Sequence, residues 1–146
     1  RGVVPTNAVL SVDLMEPTED ERAALGLTPS STVVRLERLR RQDDNPMVYS
    51  VDVFDRAVIQ APIGEIDWAG SLFDIFGRFD RCPVNASATV SAVTLEAELA
   101  SRLGVSDSEA WLRLQQVHSD ARARPVLLSD DFHRGSEFTF DVPRQK

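Results

Sequence analysis

One cysteine, Cys82, is all the thiol this 146-residue chain carries. That excludes an internal disulfide and any cysteine-based zinc site. Cys82 precedes Pro83 with no local signature of a nucleophile, so a packed thiol is expected. Histidine is nearly as scarce: His118 and His133 are the only two, and neither has a second ligand at HxH or HExxH spacing. No metal and no other cofactor is therefore expected. No GxSxG, phosphate-cradling glycine loop or dinucleotide fingerprint occurs, and the seven glycines are scattered at helix ends and turns. Apolar runs of membrane-spanning length and a secretory leader are missing too, which predicts a cytoplasmic protein with no membrane partner. An excess of positive charge is also lacking. With 16 basic and 23 acidic residues the net charge is −7, which repels a polyphosphate backbone and makes this chain alone a poor nucleic-acid binder.

What is present describes one domain. The length suffices for a real core, and hydrophobic and charged fractions of 42% and 27% are those of a globular protein. Residues 7–15 alternate as a strand, and Thr18 is placed to cap a helix with Glu19, Asp20 and Glu21 in its first turn and Gly26 as its stop. Strands over 32–42 and 46–55 flank the polar turn Asp43-Asp44-Asn45, closed by Pro46, which predicts a hairpin. Pro62 and Gly64 break 61–70, and Ser71 is placed to cap a helix over 72–79. In 84–93 the apolar even positions Val84, Ala86, Ala88, Val90 and Ala92 alternate with polar ones, a strand whose apolar face should meet a helix or another sheet. Thr94 is placed to cap a helix over 95–103 that Gly104 ends. A second hairpin follows, over 110–119 and 125–134, and a last short strand is expected over 138–142. The fold class is α/β (α+β), an antiparallel-rich sheet with flanking helices.

The stretch Val34-Arg35-Leu36-Glu37-Arg38-Leu39-Arg40 is the most informative. In a strand, Val34, Leu36, Arg38 and Arg40 share one face, so two arginines continue the face of two aliphatics. A buried guanidinium must be paired with an anion or lie in a wet cavity. Either an anion pocket forms at the end of a sheet, or an edge strand carries solvated or surface-paired arginines. The hairpins look like distant copies: Leu36-Glu37-Arg38-Leu39-Arg40 overlays Leu114-Gln115-Gln116-Val117-His118, and both outgoing strands begin with proline, Pro46 and Pro125. Two similar sheet halves with a cleft between them would bring Arg38, Arg40, Gln116 and His118 together. The carboxylate pairs Asp43-Asp44 and Asp130-Asp131 make no acid–base dyad, because turn aspartates serve the turn and adjacent strand residues face opposite ways. No catalytic residue is assigned.

The order Arg1-Gly2-x-x-Pro5-Thr6-x-x-Val9-Leu10, Ala24-Leu25-Gly26-Leu27, Val34-x-Leu36-x-Arg38-Leu39-Arg40 and Pro46 resembles the UTRA domain. The resemblance continues through Ser71-Leu72-Phe73, Ala92-Val93, Ala100-x-x-Leu103-Gly104-Val105, Pro125-Val126, His133-Arg134 and Phe138-x-Phe140. The UTRA domain is the effector-binding module of GntR-type transcription regulators of the HutC subfamily. The resemblance implies a chorismate-lyase-like fold without lyase activity over 1–146, a small-molecule effector and a homodimer. DNA would be bound only by an N-terminal winged helix-turn-helix absent from this chain. It further implies that Arg38 and Arg40 hold an anionic group of the effector, a phosphorylated or carboxylated metabolite, with Ser71 and Phe73 at a helix start beside them. A serine-capped helix N-terminus suits an anion, though Ser71 could equally be a plain cap.

Departures from the family pattern shape the expected effector. Ser50 stands four residues after Pro46 and Leu127 two after Pro125, where many members carry glutamates, and His133 stands where a tyrosine is common. Two carboxylates suited to sugar hydroxyls or amides are thus expected to be missing. The effector would keep an anionic end on a less polar body, with Ser50 and His133 among its contacts. Two other classes stay open: an enzyme of the same fold acting on a carboxylic acid, and a ligand-free dimerisation module. The latter would fill the space around Arg38 and Arg40 with apolar groups and pair both arginines internally.

Overall fold

Alternating side chains build six strands, and all six join one antiparallel sheet. The computed structural model describes residues 6–137, 139 and 141–145. The strands are β1 (Thr6–Met15), β2 (Val33–Gln42), β3 (Asn45–Asp55), β4 (Asn85–Thr94), β5 (Ala110–Ser119) and β6 (Pro125–Arg134). Three short helices, α1 (Glu19–Leu25), α2 (Leu72–Gly77) and α3 (Ala97–Leu103), connect them. The strand order is β1-β2-β3-β6-β5-β4. Exchanging the first three strands for the last three leaves that order unchanged when read backwards. A pseudo-two-fold axis therefore passes between β3 and β6, near the opposed pair Val51 and Asp130. Each half runs strand, helix, hairpin.

Local chemistry accounts for the punctuation. Asp43 and Asp44 both take left-handed backbone, with φ of 52° and 64°, as a tight hairpin with the sheet's twist requires. Thr18 and Glu21 form a reciprocal capping box on α1, and Gly26 stops it at φ 63°. Two helix ends differ from the sequence expectation. Thr94 remains the last residue of β4, opposite Ala110, so α3 starts only at Ala97, with Glu96 at the cap position and no side-chain cap bond. The middle helix ends at Gly77 rather than Phe79, where glycine's backbone freedom disfavours another turn.

The sheet has two differently covered faces. One carries α1 and α3, with Leu39, Tyr49, Leu103 and Trp111 in one cluster and Leu25, Val33 and Val53 in another. On the opposite face, α2 and the 3-10 turns Arg56–Val58 and Ile63–Glu65 pack over Val34, Leu36 and Phe54. Phe54 is fully buried and meets the Phe76 ring edge-on at 4.9 Å. Each such side chain contributes about 1.5–3 kcal/mol through burial. This cover reaches only one end of its face.

Further differences concern the edges. Among the described residues the apolar face of β4 is not covered: Val90 is 55% exposed, Val84 just before the strand 56%, and Ala86, Ala88 and Ala92 are exposed as well. β4 is an edge strand paired only with β5, and alternation fixes which residues share a face, not whether anything lies on it. Cys82 is exposed rather than packed. Of the strand expected over 138–142, Phe138 and Phe140 lie outside the described residues, and Thr139, Asp141 and Val142 are not in a strand. Arg1, Gly2 and Pro5 of the opening motif lie outside them too.

Candidate functional site

The uncovered end of the α2-side face is the floor of a cavity of about 580 Å³, within the usual range for small-molecule sites. Strand parity assembles it. Arg38 and Arg40 continue the face of the buried Val34 and Leu36, Ser50 lies opposite Arg38, and Val48 lies between Arg40 and His133. Ser71 and Phe73 come from the start of α2, and Gln116 and His118 from β5. All six residues singled out in the sequence, Arg38, Arg40, Ser50, Ser71, Phe73 and His133, line this one cavity, as do Gln116 and His118.

The two arginines are held differently. Arg38 is largely buried; its Nη1 donates to the carbonyls of Gly70 at 2.9 Å and Trp68 at 3.3 Å, and its Nη2 lies 3.5 Å from Asp52. Its buried Nε has no acceptor among the described residues. Arg38 therefore also ties the segment before α2 to the sheet. Arg40, opposite Asn7 at the rim, is exposed, and its side chain forms no hydrogen bond or salt bridge among the described residues.

Ser71 does two jobs: its Oγ accepts from the Asp74 N–H at 3.3 Å, capping α2, while the residue lines the cavity. With six residues and Asp74 in its first turn, α2 offers an anion little positive charge. Phe73, 44% exposed, stands edge-on to the His118 ring at 5.4 Å and 81°, so α2 reaches β5 across the cavity. Burial pulls the His118 imidazole below its ordinary pKa, and the negative charge of Asp131 works against that.

The fold brings two carboxylates into the cavity from positions other than 50 and 127. Ser50 and Leu127 do line it, but so do Asp52 and Asp131. Asp52 is 5% exposed and accepts from Ser129 Oγ at 2.9 Å. Burial pushes its pKa up to about 6; the charge of Asp131 adds to this, while Arg38 and Ser129 oppose it. The Asp131 side chain enters no hydrogen bond or salt bridge among the described residues. Its neighbour Asp130 faces the other way and takes a bidentate pair from Arg113 at 2.7 and 2.6 Å, as strand alternation demands.

A signal for both aspartates was in the chain. Pro46-Met47-Val48-Tyr49-Ser50-Val51-Asp52 repeats as Pro125-Val126-Leu127-Leu128-Ser129-Asp130-Asp131. Following the hairpin copy into the outgoing strands pairs Val48 with Leu127, Ser50 with Ser129 and Asp52 with Asp131. Two guanidiniums thus face two carboxylates, and their formal charges cancel. Among the described residues, no three His, Cys, Asp or Glu side chains converge to hold a metal, and no helix is long and apolar enough to cross a membrane.

Comparison with known proteins yields a match to the UTRA domain over residues 1–139. The HTH-type transcriptional repressor NagR of Bacillus subtilis is 22% identical over 143 residues, covering 96% of this chain and 58% of NagR. A GntR-family transcriptional regulator from Enterococcus faecalis superposes with a TM-score of 0.83 at 24% identity, covering 95% of this chain and all of the other. The effector domain of PhnF from Mycobacterium smegmatis gives 0.88 at 16% identity, covering 99% and 89%. These structures share the fold. The chain spans little more than half the length of the NagR repressor it matches.

Proposed function

Since the chain belongs to the UTRA domain family, we propose that it is the effector-binding and dimerisation domain of a GntR-type transcription regulator of the HutC subfamily. It binds a small anionic metabolite, phosphorylated or carboxylated, in the cavity over β2, β3, β6 and β5. The effector changes operator affinity through a winged helix-turn-helix outside this chain, in a cytoplasmic homodimer. The reading assigns no catalysis, cofactor or membrane partner. The carrying observation is the cavity of about 580 Å³ that gathers Arg38, Arg40, Ser50, Ser71, Phe73 and His133, with Arg40 unpaired among the described residues. The open cavity, and Arg40 without a salt bridge among the described residues, support this reading over a ligand-free module, which would have a filled interior with both arginines paired.

The physics of such a sensor follows from linkage. An effector changes DNA affinity only if it binds one dimer geometry better than another. A two-fold protein reads a two-fold operator, so the domain should sediment as a dimer at micromolar concentration. Charge-assisted bonds to a guanidinium are worth about 1.5–3 kcal/mol each. Arg40→Ala should therefore weaken an anionic effector at least about tenfold. The test is calorimetry of wild type and Arg40→Ala with phosphorylated and carboxylated metabolites that raise the melting temperature. Unchanged affinity in a folded variant would put the binding site elsewhere.

An enzyme reading draws on Asp52, with its pKa raised to about 6, and on His118 in the same cavity. Both are engaged, Asp52 with Arg38 and Ser129 and His118 against Phe73. Turnover of carboxylic acids by the purified domain would overturn the binding-only reading.

A further inference from the structure

The pseudo-two-fold symmetry of the cavity is broken in its hydrogen bonding. In one set, Arg38, Asp52 and Ser129 satisfy one another: guanidinium to carboxylate at 3.5 Å and hydroxyl to carboxylate at 2.9 Å. The symmetry-equivalent set is Gln116, Asp131 and Ser50. There Ser50 lies opposite Asp131 just as Ser129 lies opposite Asp52, yet no side-chain hydrogen bond joins any of the three among the described residues. Replacing arginine by glutamine at position 116 removes the cation that would answer Asp131. One carboxylate is thus left facing the cavity beside the Ser50 hydroxyl, the Gln116 amide and the His118 imidazole, which burial pulls toward its uncharged form, and one guanidinium, Arg40, is left facing the same space.

A purely anionic ligand would meet Arg40 and Arg38 but would also lie against Asp131 and Asp52. Like charges at that range oppose binding in a partly desolvated site. A ligand with a cation at its far end removes the conflict and supplies Asp131 with the partner its equivalent already has. We infer that the cavity takes a dipolar ligand, an anion that also carries an ammonium, with the anionic end at Arg40 and Arg38 and the ammonium at Asp131. This rests on the reading of the cavity as the effector site and narrows its chemical class.

The register sets the length of the ligand. Arg38 pairs with Ser50, and Ser50 with Asp131, so the charged residues stand two strands apart, about 10 Å between backbones. The arginine arm closes much of that gap, leaving a separation that a chain of about three to six bonds spans. Ser50, between Arg38 and Asp131, and Val48, between Arg40 and His133, then lie along the linking carbons, and Gln116, opposite Ser129, flanks the ammonium end.

The probes are ω-aminoalkyl phosphates of two to five carbons, each against the n-alkyl phosphate of equal length, titrated calorimetrically into the domain at neutral pH. The expected result is a preference of at least about tenfold for an amino member, equivalent to about 1.4 kcal/mol. That preference should vanish in Asp131→Asn, an isosteric change at a side chain with no hydrogen bond to lose, while alkyl phosphate binding persists. Equal binding of both series, each weakened by Arg40→Ala, overturns the dipolar inference and leaves the anion site standing. A preference that survives Asp131→Asn overturns the assignment to Asp131. Binding by neither series at millimolar concentration, or binding indifferent to Arg40→Ala, overturns the anion site and this inference with it.

Discussion

Replacing Asp52 by asparagine should stabilise the ligand-free domain at neutral pH. The carboxyl is 5% exposed, and burial together with the charge of Asp131 moves its pKa from 3.8 to about 6. Between those two values the folded state keeps a proton that the unfolded chain has released. Stability from this group is therefore lost as pH rises, and above about pH 6 the full penalty applies. A shift of about two units at about 1.4 kcal/mol each gives roughly 3 kcal/mol against folding. Asparagine keeps an acceptor for Ser129 Oγ and removes the charge. Arg38 loses a counter-ion at 3.5 Å but retains its bonds to Trp68 and Gly70. The assay is urea unfolding of wild type and Asp52→Asn in small pH steps from mildly acidic to mildly alkaline. The difference between the two proteins cancels the titration of the groups they share that do not interact with Asp52. It should climb in favour of Asp52→Asn by up to about 3 kcal/mol between pH 4 and 6 and then level off. A difference that stays flat, or that falls with pH, would refute the claim that the fold holds this carboxyl against its charge.

Other outcomes follow from the same contacts. Asp120 is buried and accepts from Arg81 Nε at 2.8 Å, Arg124 Nε at 3.0 Å and the backbone N–H groups of Arg122 and Arg124. Burial works against its charge, yet these donors hold its pKa down at about 2. Its contribution is thus present above the ordinary carboxylate range and lost as pH falls toward 2. Asp120→Ala should cost about 2–4 kcal/mol, read by denaturant midpoint, because it strands several donors at once. Arg38→Ala should lower the melting temperature, since the carbonyls of Trp68 and Gly70 lose their donor at about 1–3 kcal/mol. Arg40→Ala should leave it unchanged within about 0.5 kcal/mol. Equal melting temperatures for the two variants would show that Arg38 does not anchor the segment before α2.

The parts of the fold legible in the sequence are those whose signals are local. The bounds of β5 and β6 coincide with the alternating runs over 110–119 and 125–134 because turn residues close both ends. α1 announces itself through Thr18, Glu21 and Gly26. Thr94 misleads because a residue that can cap a helix can also close a strand, and its ladder pairing with Ala110 prevails. Within the site, Arg38 and Arg40 were legible from parity alone, since two charges on an aliphatic face need a reason to be there. Asp52 and Asp131 were not found, because each reads as an ordinary strand aspartate until β3 and β6 are set side by side. The repeated Pro-x-x-x-Ser-x-Asp pattern carried that information.

By itself, then, the sequence determined which side chains share a face, where the chain turns, and that two hairpins resemble each other. These depend on backbone periodicity and on residues within a few positions of one another. Only the tertiary structure decided that α2 covers one end of its face and leaves Arg40 and Asp131 open, and that Val90 on β4 and Val84 just before it stay exposed among the described residues. It also decided that Asp52 is answered by Arg38 and Ser129 while its symmetry mate is not. Burial and partnership are properties of what lies across the sheet and above it, brought together from distant positions, as Asp52 and Ser129 are from 77 residues apart. A carboxylate in a strand carries no mark of its own to say whether it will meet a cation, a hydroxyl or an open cavity.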